Sequence, residues 1–336
     1  MKRCLAALLA LCALLALCAC GAAVPGTENG VFSLDILNTG KSDCIIVCMD
    51  GVTIVNDAAD EDDFDAICAA LDRRGVQRID YLILSHYDKD HIGSAAALVQ
   101  AYPVGQILGP DYEEESVYFT LLERAAEDRN TPFLRLTENY RIETENGSVI
   151  ADPPDVDYGD DNNNSLVTTV TWRGTDFLLL GDAKKNRLNE FLVQTSGSYE
   201  LIKLPHHGDS SKPLLKLIEQ TKPRYAAATV SPSEEIEDKL LAALAAAGAE
   251  SRTVTVGVRP VHVTVGSEGI DAQIDVSELM GSELHLHMTA GGKDVVAVVQ
   301  TANLDPNAYA RHTAVRFSFE PRLIHLFDPE TEKNLI

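Results

Sequence analysis

The sequence predicts a layered α/β sandwich followed by a small β-barrel. From residue 31 to about residue 250, short runs rich in Val and Ile alternate with segments of helical apolar spacing, which is typical of helices packed on sheets. From about Arg252 the helical spacing disappears, and short strands containing Val, His and Phe alternate with Gly-containing turns. A chain of 336 residues is long enough for one large domain and a small one.

The first domain is predicted to begin with strands and to continue with alternating helices and strands. Residues 79–85 form a continuous apolar run, which predicts a buried strand. Residues 152–164 are polar and contain Pro153, Pro154 and a run of Asp and Asn, so they predict a long functional loop. The other predicted strands are 31–37, 43–49, 52–55, 104–108, 165–172, 176–181, 201–204 and 225–230, and the predicted helices are 62–74, 93–101, 115–127, two flanking 201–204, and 233–247.

The N-terminus has the composition of a bacterial export signal. Lys2 and Arg3 precede an apolar stretch, residues 5–17, that is too short to span a membrane. The following run, Cys-Ala-Cys-Gly, resembles a lipoprotein signal in which Cys20 would be lipidated, and an ordinary cleaved signal peptide is the alternative. We therefore expect a signal peptide at 1–20, a linker at 21–30, and a protein anchored to the outer face of the bacterial plasma membrane.

Composition argues against two classes of protein. The formal net charge of −23 disfavours non-specific binding of polyanions, so a nucleic-acid substrate would need a local attracting site such as a bound metal. Cys44, Cys48 and Cys68 have no Cys-x-x-Cys spacing. We therefore predict small buried apolar residues there, rather than a disulfide framework or a cysteine zinc cluster.

The segment that points to chemistry is residues 85–93, Ser-His-Tyr-Asp-Lys-Asp-His-Ile-Gly, between a predicted strand and a predicted helix. His86 and Asp88 alternate on an extended segment and therefore point the same way, while Asp90 and His91 fall where the chain turns into the helix. Four donors thus meet at the C-terminal end of a strand, and their types suit zinc, manganese or iron. The alternative is a polar loop with solvated charges, but the two carboxylates would repel each other without a cation.

Two further strands end in residue types that ligate metals. Residues 178–182, Leu-Leu-Leu-Gly-Asp, end at Asp182, a natural bridging ligand, although an Asp at a strand end is more often a cap or turn residue. Residues 203–208, Lys-Leu-Pro-His-His-Gly, contain His206 and His207, which alone are equally consistent with a site and with a structural role.

Together these segments resemble the metallo-β-lactamase superfamily. Its His-x-His-x-Asp-His motif is similar to residues 86–91, with Asp88 in place of the second His. Within the superfamily, residues 31–249 are most similar to the β-lactamase-like domain of ComEC-type DNA-uptake proteins. The matching motifs occur in order at residues 40–43, 56–57, 85–93, 163–167, 179–182 and 206–208.

The resemblance implies a metallo-β-lactamase αββα sandwich over residues 31–250 that binds one or two divalent transition metals, with zinc preferred and manganese as the alternative. It assigns metal ligation to His86, Asp88, Asp90, His91, Asp182 and one of His206 or His207. It assigns catalysis to Asp90, His91 and Asp182. It assigns support of the ligands or contact with the substrate to Asp43, Asp57, Asn163, Asn164 and Ser165, where Asn163 or Asn164 replaces a further His of the superfamily.

The sequence departs from this family after its last predicted strand. The family usually continues with Asn-x-x-Tyr-Gly-His-Pro, whereas residues 229–233 are Thr-Val-Ser-Pro-Ser and lead directly into the predicted helix. The His of that segment and its loop are therefore missing from this chain.

The tail resembles a second family. Residues 253–336 are similar, at 256–260, 278–283 and 324–333, to the C-terminal TOBE barrel of MalK-type sugar-importer ATPases. The resemblance implies an OB-like barrel and adds a transporter component to the expected partners. The histidines of the tail, including His285 and His287 on one predicted strand face, are expected to be barrel or surface residues.

The donor pattern favours a metal-dependent hydrolase. The resemblance implies that it acts on a phosphodiester, either DNA or a small phosphoester, and the N-terminus predicts that it does so outside the plasma membrane. The alternative belongs to a different class: a non-catalytic, membrane-anchored binding lipoprotein with a relict metal site, or a fusion with a sugar-importer regulatory domain.

The lipoprotein interpretation predicts that Cys20→Ser abolishes lipid attachment and releases the protein from membranes, because the acylated thiol is lost. Palmitate labelling and membrane fractionation measure this. A variant that labels and fractionates like the parent would show that Cys20 is not the anchor.

Overall fold

A computed structural model describes residues 30–230, 236–250, 255–257, 259–266, 269–290, 293–301, 306–319 and 325–327. The chain divides after Glu250 into two compact units. Among the described residues, every helix is too short or too polar to cross a membrane. The predicted signal peptide with Cys20, and the predicted linker up to residue 29, lie outside the described residues.

The first unit contains two mixed six-stranded sheets. In the first sheet the strands are ordered β1 to β6, with antiparallel pairing up to β3 and parallel pairing beyond it. These strands are β1 (Phe32–Ile36), β2 (Ile45–Met49), β3 (Val52–Asn56), β4 (Ile79–Ile83), β5 (Val104–Pro110) and β6 (Phe133–Leu136).

The second sheet is antiparallel from β7 to β10 and parallel from β10 to β12. Its strands are β7 (Tyr140–Glu143), β8 (Gly147–Asp152), β9 (Val167–Trp172), β10 (Thr175–Leu179), β11 (Leu201–Lys203) and β12 (Tyr225–Ala227). The helices are α1 (Phe64–Arg73), α2 (Lys89–Ile92), α3 (Ala95–Ala101), α4 (Val117–Arg129), α5 (Lys185–Gln194), α6 (Lys212–Thr221) and α7 (Asp238–Ala247).

The sheets pack face to face because their strands alternate between two apolar faces. In β2, Ile45 and Val47 belong to the cluster between the sheets, whereas Ile46 and Cys48 belong to the cluster shared with α1, α3 and α4. A third cluster joins the second sheet to α5, α6 and α7. Each fully buried aliphatic side chain contributes roughly 1.5–3 kcal/mol. The layers are helix, sheet, sheet and helix, which confirms the predicted αββα sandwich.

Three consecutive strands, β6, β7 and β8, were not predicted from the sequence pattern. In β6 and β7 the buried side chains are Leu136 and Ile142 alone, so neither strand has an apolar pattern that stands out from a loop. The predicted helix at 93–101 is also preceded by one turn, α2, which contains part of the proposed site. Helix α7 begins at Asp238 in the structure, and residues 231–235 lie outside the described residues.

The second unit is an antiparallel β domain, as predicted. It has a five-stranded sheet in the order β14, β18, β15, β16 and β17, with β13 (Thr255–Gly257) paired separately to β19 (His325–Phe327). The larger sheet consists of β14 (Val263–Gly266), β15 (Ile270–Met280), β16 (Glu283–Ala290), β17 (Lys293–Gln300) and β18 (Ala314–Phe319). One face of it buries Ile274, Leu286 and Phe317 in a cluster of its own.

Because each unit has its own core, a chain that ends at Glu250 is expected to unfold cooperatively and to bind metal like the full-length protein. A chain that ends at Val230 also lacks α7 and its buried Leu240, and it is expected to aggregate or to lose at least about 2 kcal/mol of stability. Thermal unfolding monitored by circular dichroism, together with metal content, tests both. An insoluble or metal-free chain ending at Glu250 would contradict the prediction.

Candidate metal centre

The proposed ligands lie at the ends of strands from both sheets. His86 and Asp88 follow β4, and Asp90 and His91 lie in α2. Asp182 follows β10 across Gly181, which has a φ of +50° and where a Cβ would lie 2.5 Å from the Cβ of Ser85. A glycine is therefore required at this close approach.

Four side chains from these elements converge on one point. The ligand atoms of Asp90, His91, Asp182 and His207 all lie within 4.8 Å of one another. The Nε2 atom of His91 is 3.2 Å from Oδ1 of Asp182, and the Nε2 atom of His207 is 3.1 Å from Oδ2 of Asp90 and 3.4 Å from Oδ2 of Asp182. Two imidazoles and two carboxylates are a donor set that suits a divalent transition metal.

Several of these donors are buried without a hydrogen-bond partner. The Nε2 atoms of His86 and His91 and the Oδ1 atom of Asp182 form no hydrogen bond among the described residues. Their nearest contacts are ionic, at 3.3 Å between His86 and Asp88 and at 3.2 Å between His91 and Asp182. A buried polar group without a partner is costly, so each needs an explanation such as an ion. All three are metal-ligating atoms that lie beside one another, and the residues present therefore fit a metal.

Asp57, which is itself held by Ser85, fixes the position of the His91 ring. Nδ1 of His91 is 3.0 Å from Oδ2 of Asp57, so its Nε2 atom is directed toward Asp182. Asp57 in turn accepts hydrogen bonds from the backbone N–H of Ser85 at 2.6 Å and from its hydroxyl at 2.8 Å. A carboxylate behind a ligating imidazole fixes the ring orientation and makes the ligand more basic.

Charged neighbours shift the pKa values of these site residues in the direction opposite to the shift that burial causes. Burial lowers the pKa of His207, but hydrogen bonds to Asp182 and Asp90 raise it to about 9. Burial also opposes the charged form of His91, yet Asp182 and Asp57 hold its pKa well above the usual value. Burial raises the pKa of Asp182, but His91 and His207 hold it well below its ordinary range. These carboxylates require positive charge nearby, and a cation would replace the imidazole protons because ligation needs neutral imidazole.

His86 and Asp88 lie beside this cluster. The His86 ring centroid is 4.1 Å from that of His91, and its Nε2 atom is 3.3 Å from Oδ2 of Asp88. The Asp88 side chain is 41% exposed and accepts a hydrogen bond from the side-chain amide of Asn162 at 3.1 Å. His86 and Asp88 therefore flank the four converging residues without belonging to the group whose ligand atoms lie within 4.8 Å, and Asp88 is on the solvent side.

The structure separates the two consecutive histidines. His207 turns inward to the cluster, whereas His206 is 31% exposed and forms an ion pair with Asp209 at 2.7 Å. Both histidines have positive φ angles, 46° at His206 and 56° at His207, which is uncommon for a residue other than glycine. His206 does not join the proposed ligands.

The predicted residues of the Asn-Asn-Ser segment are all buried and organise the loop. Oδ1 of Asn163 accepts the backbone N–H groups of Asn186 at 2.9 Å and Arg187 at 3.3 Å, so it caps the first turn of α5. The Asn164 side chain holds the preceding loop through Asp157 and Tyr158. The Ser165 hydroxyl accepts the N–H of Asp182 at 3.2 Å and so supports a proposed ligand directly.

Two fully buried cations were missed by the sequence analysis. Arg187 binds the carbonyl oxygen of Ser165 and the carboxylate of Asp152, and thereby fixes both ends of the predicted long loop. Lys203 forms an ion pair with Asp43. A single Lys inside the apolar run Leu-Ile-Lys-Leu of β11 was the available signal for the second.

A model of the metallo-beta-lactamase superfamily matches residues 37–229. The chain belongs to the metallo-beta-lactamase superfamily. A TOBE domain model matches residues 256–327 in the second unit.

Curated relatives match the two units separately. The first unit is similar to "ComE operon protein 3" of Bacillus subtilis, with 26% identity over 163 residues that are 46% of this chain and 20% of that protein. The second is similar to "Uncharacterized ABC transporter ATP-binding protein y4oS" of Sinorhizobium fredii, with 40% identity over 81 residues, 23% of this chain and 20% of that protein. The chain spans about a fifth of the length of these relatives, and the relation of its superfamily domain to the competence proteins is distant.

The metallo-beta-lactamase fold protein YhfI from Bacillus subtilis aligns with a TM-score of 0.43 and 12% identity, over 67% of this chain and 91% of that chain.

The placement of the two histidines predicts that matched substitutions affect zinc affinity very differently. His207→Ala should lower the affinity for zinc by at least about 100-fold, because it removes one of the few donors of the site, whereas His206→Ala should leave the affinity unchanged. Competition with a chromophoric chelator measures both. Equal losses in the two variants, or a loss in His206→Ala alone, would contradict the geometry.

Proposed function

We propose that this protein is a metal-dependent phosphodiesterase that acts outside the plasma membrane. The observation that carries the proposal is the convergence of Asp90, His91, Asp182 and His207 within 4.8 Å. Two of the converging atoms, Nε2 of His91 and Oδ1 of Asp182, are buried without a hydrogen-bond partner. Zinc is the preferred metal and manganese the alternative.

A bound metal would supply a water of lowered pKa and a Lewis acid for the phosphoryl oxygen. The side chains of the site would have different roles. Asp182 and His91 are buried, so they hold their positions and exclude water from one side of the site. The Asp90 side chain is 33% exposed, which makes its carboxylate the group of this set that can face the substrate and accept a proton from the attacking water.

The charge around the opening supports a small phosphodiester over a long polyanion. Asp88 is half exposed at the solvent side of the site. A further carboxylate, Asp161, lies near both Asp88 and Glu114. Burial, Asp88 and Glu114 raise the pKa of Asp161 to about 6, which reflects a concentration of negative charge. With the net charge of −23, such an opening would repel a nucleic acid unless the metal compensates.

The proposed location is based on the N-terminal sequence, and the proposed partner on the second unit. Lipidation at Cys20 would hold the hydrolase at the outer face of the membrane, near envelope phosphodiesters or incoming DNA. The TOBE-like domain would add contact with a transporter component. The likeness to ComEC-type proteins and to sugar-importer ATPases supports these assignments.

A second candidate is a non-catalytic, membrane-anchored binding lipoprotein with a relict metal site. The observation that favours it is the missing Gly-His-Pro segment after β12, since residues 229–233 are Thr-Val-Ser-Pro-Ser in its place. Residues 231–235 of that region lie outside the described residues. A fusion with a sugar-importer regulatory domain would be a variant of this candidate.

The phosphodiesterase proposal predicts that protein expressed with zinc and manganese contains one or two metal ions and hydrolyses bis(p-nitrophenyl) phosphate. Asp90→Ala should lower turnover by about 10²–10⁴-fold because it removes a ligand and proton acceptor. His86→Ala and Asp182→Ala should lose metal, and chelation should mimic them. Elemental analysis and the turnover assay measure these effects.

His285→Ala, on a strand of the second unit, is the control and should change neither metal content nor turnover. A metal-loaded wild type without turnover on any phosphodiester would favour the binding lipoprotein. A wild type without metal, whose stability matches that of His86→Ala, Asp90→Ala and Asp182→Ala, would exclude a metal-dependent enzyme.

A further inference from the structure

A buried ion pair lies behind the inward-facing histidine. Lys203, the last residue of β11, has a fully buried side chain, and its ammonium is 2.5 Å from Oδ2 of Asp43, which is itself 1% exposed. Buried ion pairs of this kind add little stability relative to apolar residues of similar volume. The pair therefore needs an explanation other than stability, and its position suggests one.

A chain of hydrogen bonds joins this pair to His207. The hydroxyl of Thr229 donates to Oδ1 of Asp43, and Nδ1 of His207 is 3.1 Å from the same hydroxyl oxygen. Nδ1 lies 3.7 Å from Oδ1 of Asp43, beyond hydrogen-bond range, so Thr229 bridges the two. The order is thus Lys203, Asp43, Thr229 and His207.

The direction of these bonds is determined by the chemistry of the partners. An ionised Asp43 beside Lys203 can only accept, so the single hydroxyl proton of Thr229 is committed to Asp43. The Thr229 oxygen must then accept from His207, which places a proton on Nδ1. In the neutral ring that metal ligation requires, the Nε2 atom then presents its lone pair to the point shared by Asp90 and Asp182.

We propose that Lys203, Asp43 and Thr229 form a positioning relay that fixes His207 in the tautomer and orientation required for metal ligation. The relay rests on the proposed function, since it takes His207 as a ligand. Hydrogen bonds to Thr229 and to Asp90 restrain opposite edges of the His207 ring. Lys203 and Thr229 would touch neither metal nor substrate.

The central variant is Thr229→Val, which keeps the shape of the side chain and removes the hydroxyl. Zinc affinity should fall by about 10- to 100-fold, the effect expected when a group that orients a ligand is lost. Thr229→Ser restores the hydroxyl and should recover most of the affinity. Lys203→Met should weaken zinc binding in the same direction, and Thr229→Val decides the question if Lys203→Met does not fold. The matched control is Thr221→Val, a buried threonine in α6 that donates to the carbonyl oxygen of Leu217 away from the site.

Two readouts are needed. Zinc affinity is measured by chelator competition, and the His207 tautomer in the zinc-loaded protein by ¹⁵N NMR of its ring nitrogens. The wild type and Thr229→Ser should show a protonated Nδ1 and a zinc-bound Nε2, whereas Thr229→Val should lose this single pattern. If Thr229→Val binds zinc as tightly as the wild type and keeps the pattern, the relay is wrong while the metal site stands. If the wild type binds no zinc, the proposed function fails and the relay fails with it.

Discussion

Repulsion among buried carboxylates is the constraint on which the rest of this site depends. Asp57 and Asp182 have almost no exposure to water. Asp90 lies against His91 and His207, which also contact Asp182. Anions this close in a low-dielectric surrounding need positive charge. Protonated imidazoles provide part of it, and a divalent cation would provide it while also pairing the buried nitrogen atoms that have no hydrogen-bond partner.

The fold brings this charge together from both halves of the sandwich. The first sheet supplies the residues after β4, and the second supplies Asp182 and His207 after β10 and β11. The Lys203–Asp43 pair crosses between the same halves. A metal held in this way is linked to the packing of the two sheets, because it binds the native state and not the unfolded chain. Stability and metal content should therefore change together.

The sequence was informative where the residue type itself indicates a role and stands at the position in the chain that the role requires. Consecutive donors such as Asp90 and His91 at a strand end, and Val/Ile alternation in the strands, predicted the sandwich and most of the site. It did not reveal which of His206 or His207 turns inward, because that depends on positive φ angles at both histidines, a backbone conformation that residues other than glycine adopt rarely. Nor did it reveal that Lys203 would pair with Asp43, since a contact between residues 160 positions apart exists only after folding. Strands β6 and β7 were missed because each buries a single side chain.

The central claim is that a metal lies where the two sheets contribute Asp90, His91, Asp182 and His207. Crystals grown with zinc or manganese, with diffraction recorded on both sides of the absorption edge of the metal, test it most directly. The account predicts an anomalous peak in contact with His91, His207 and the two carboxylates. No peak at this position, or a peak only at other histidines such as His285 and His287 of the second unit, would contradict it.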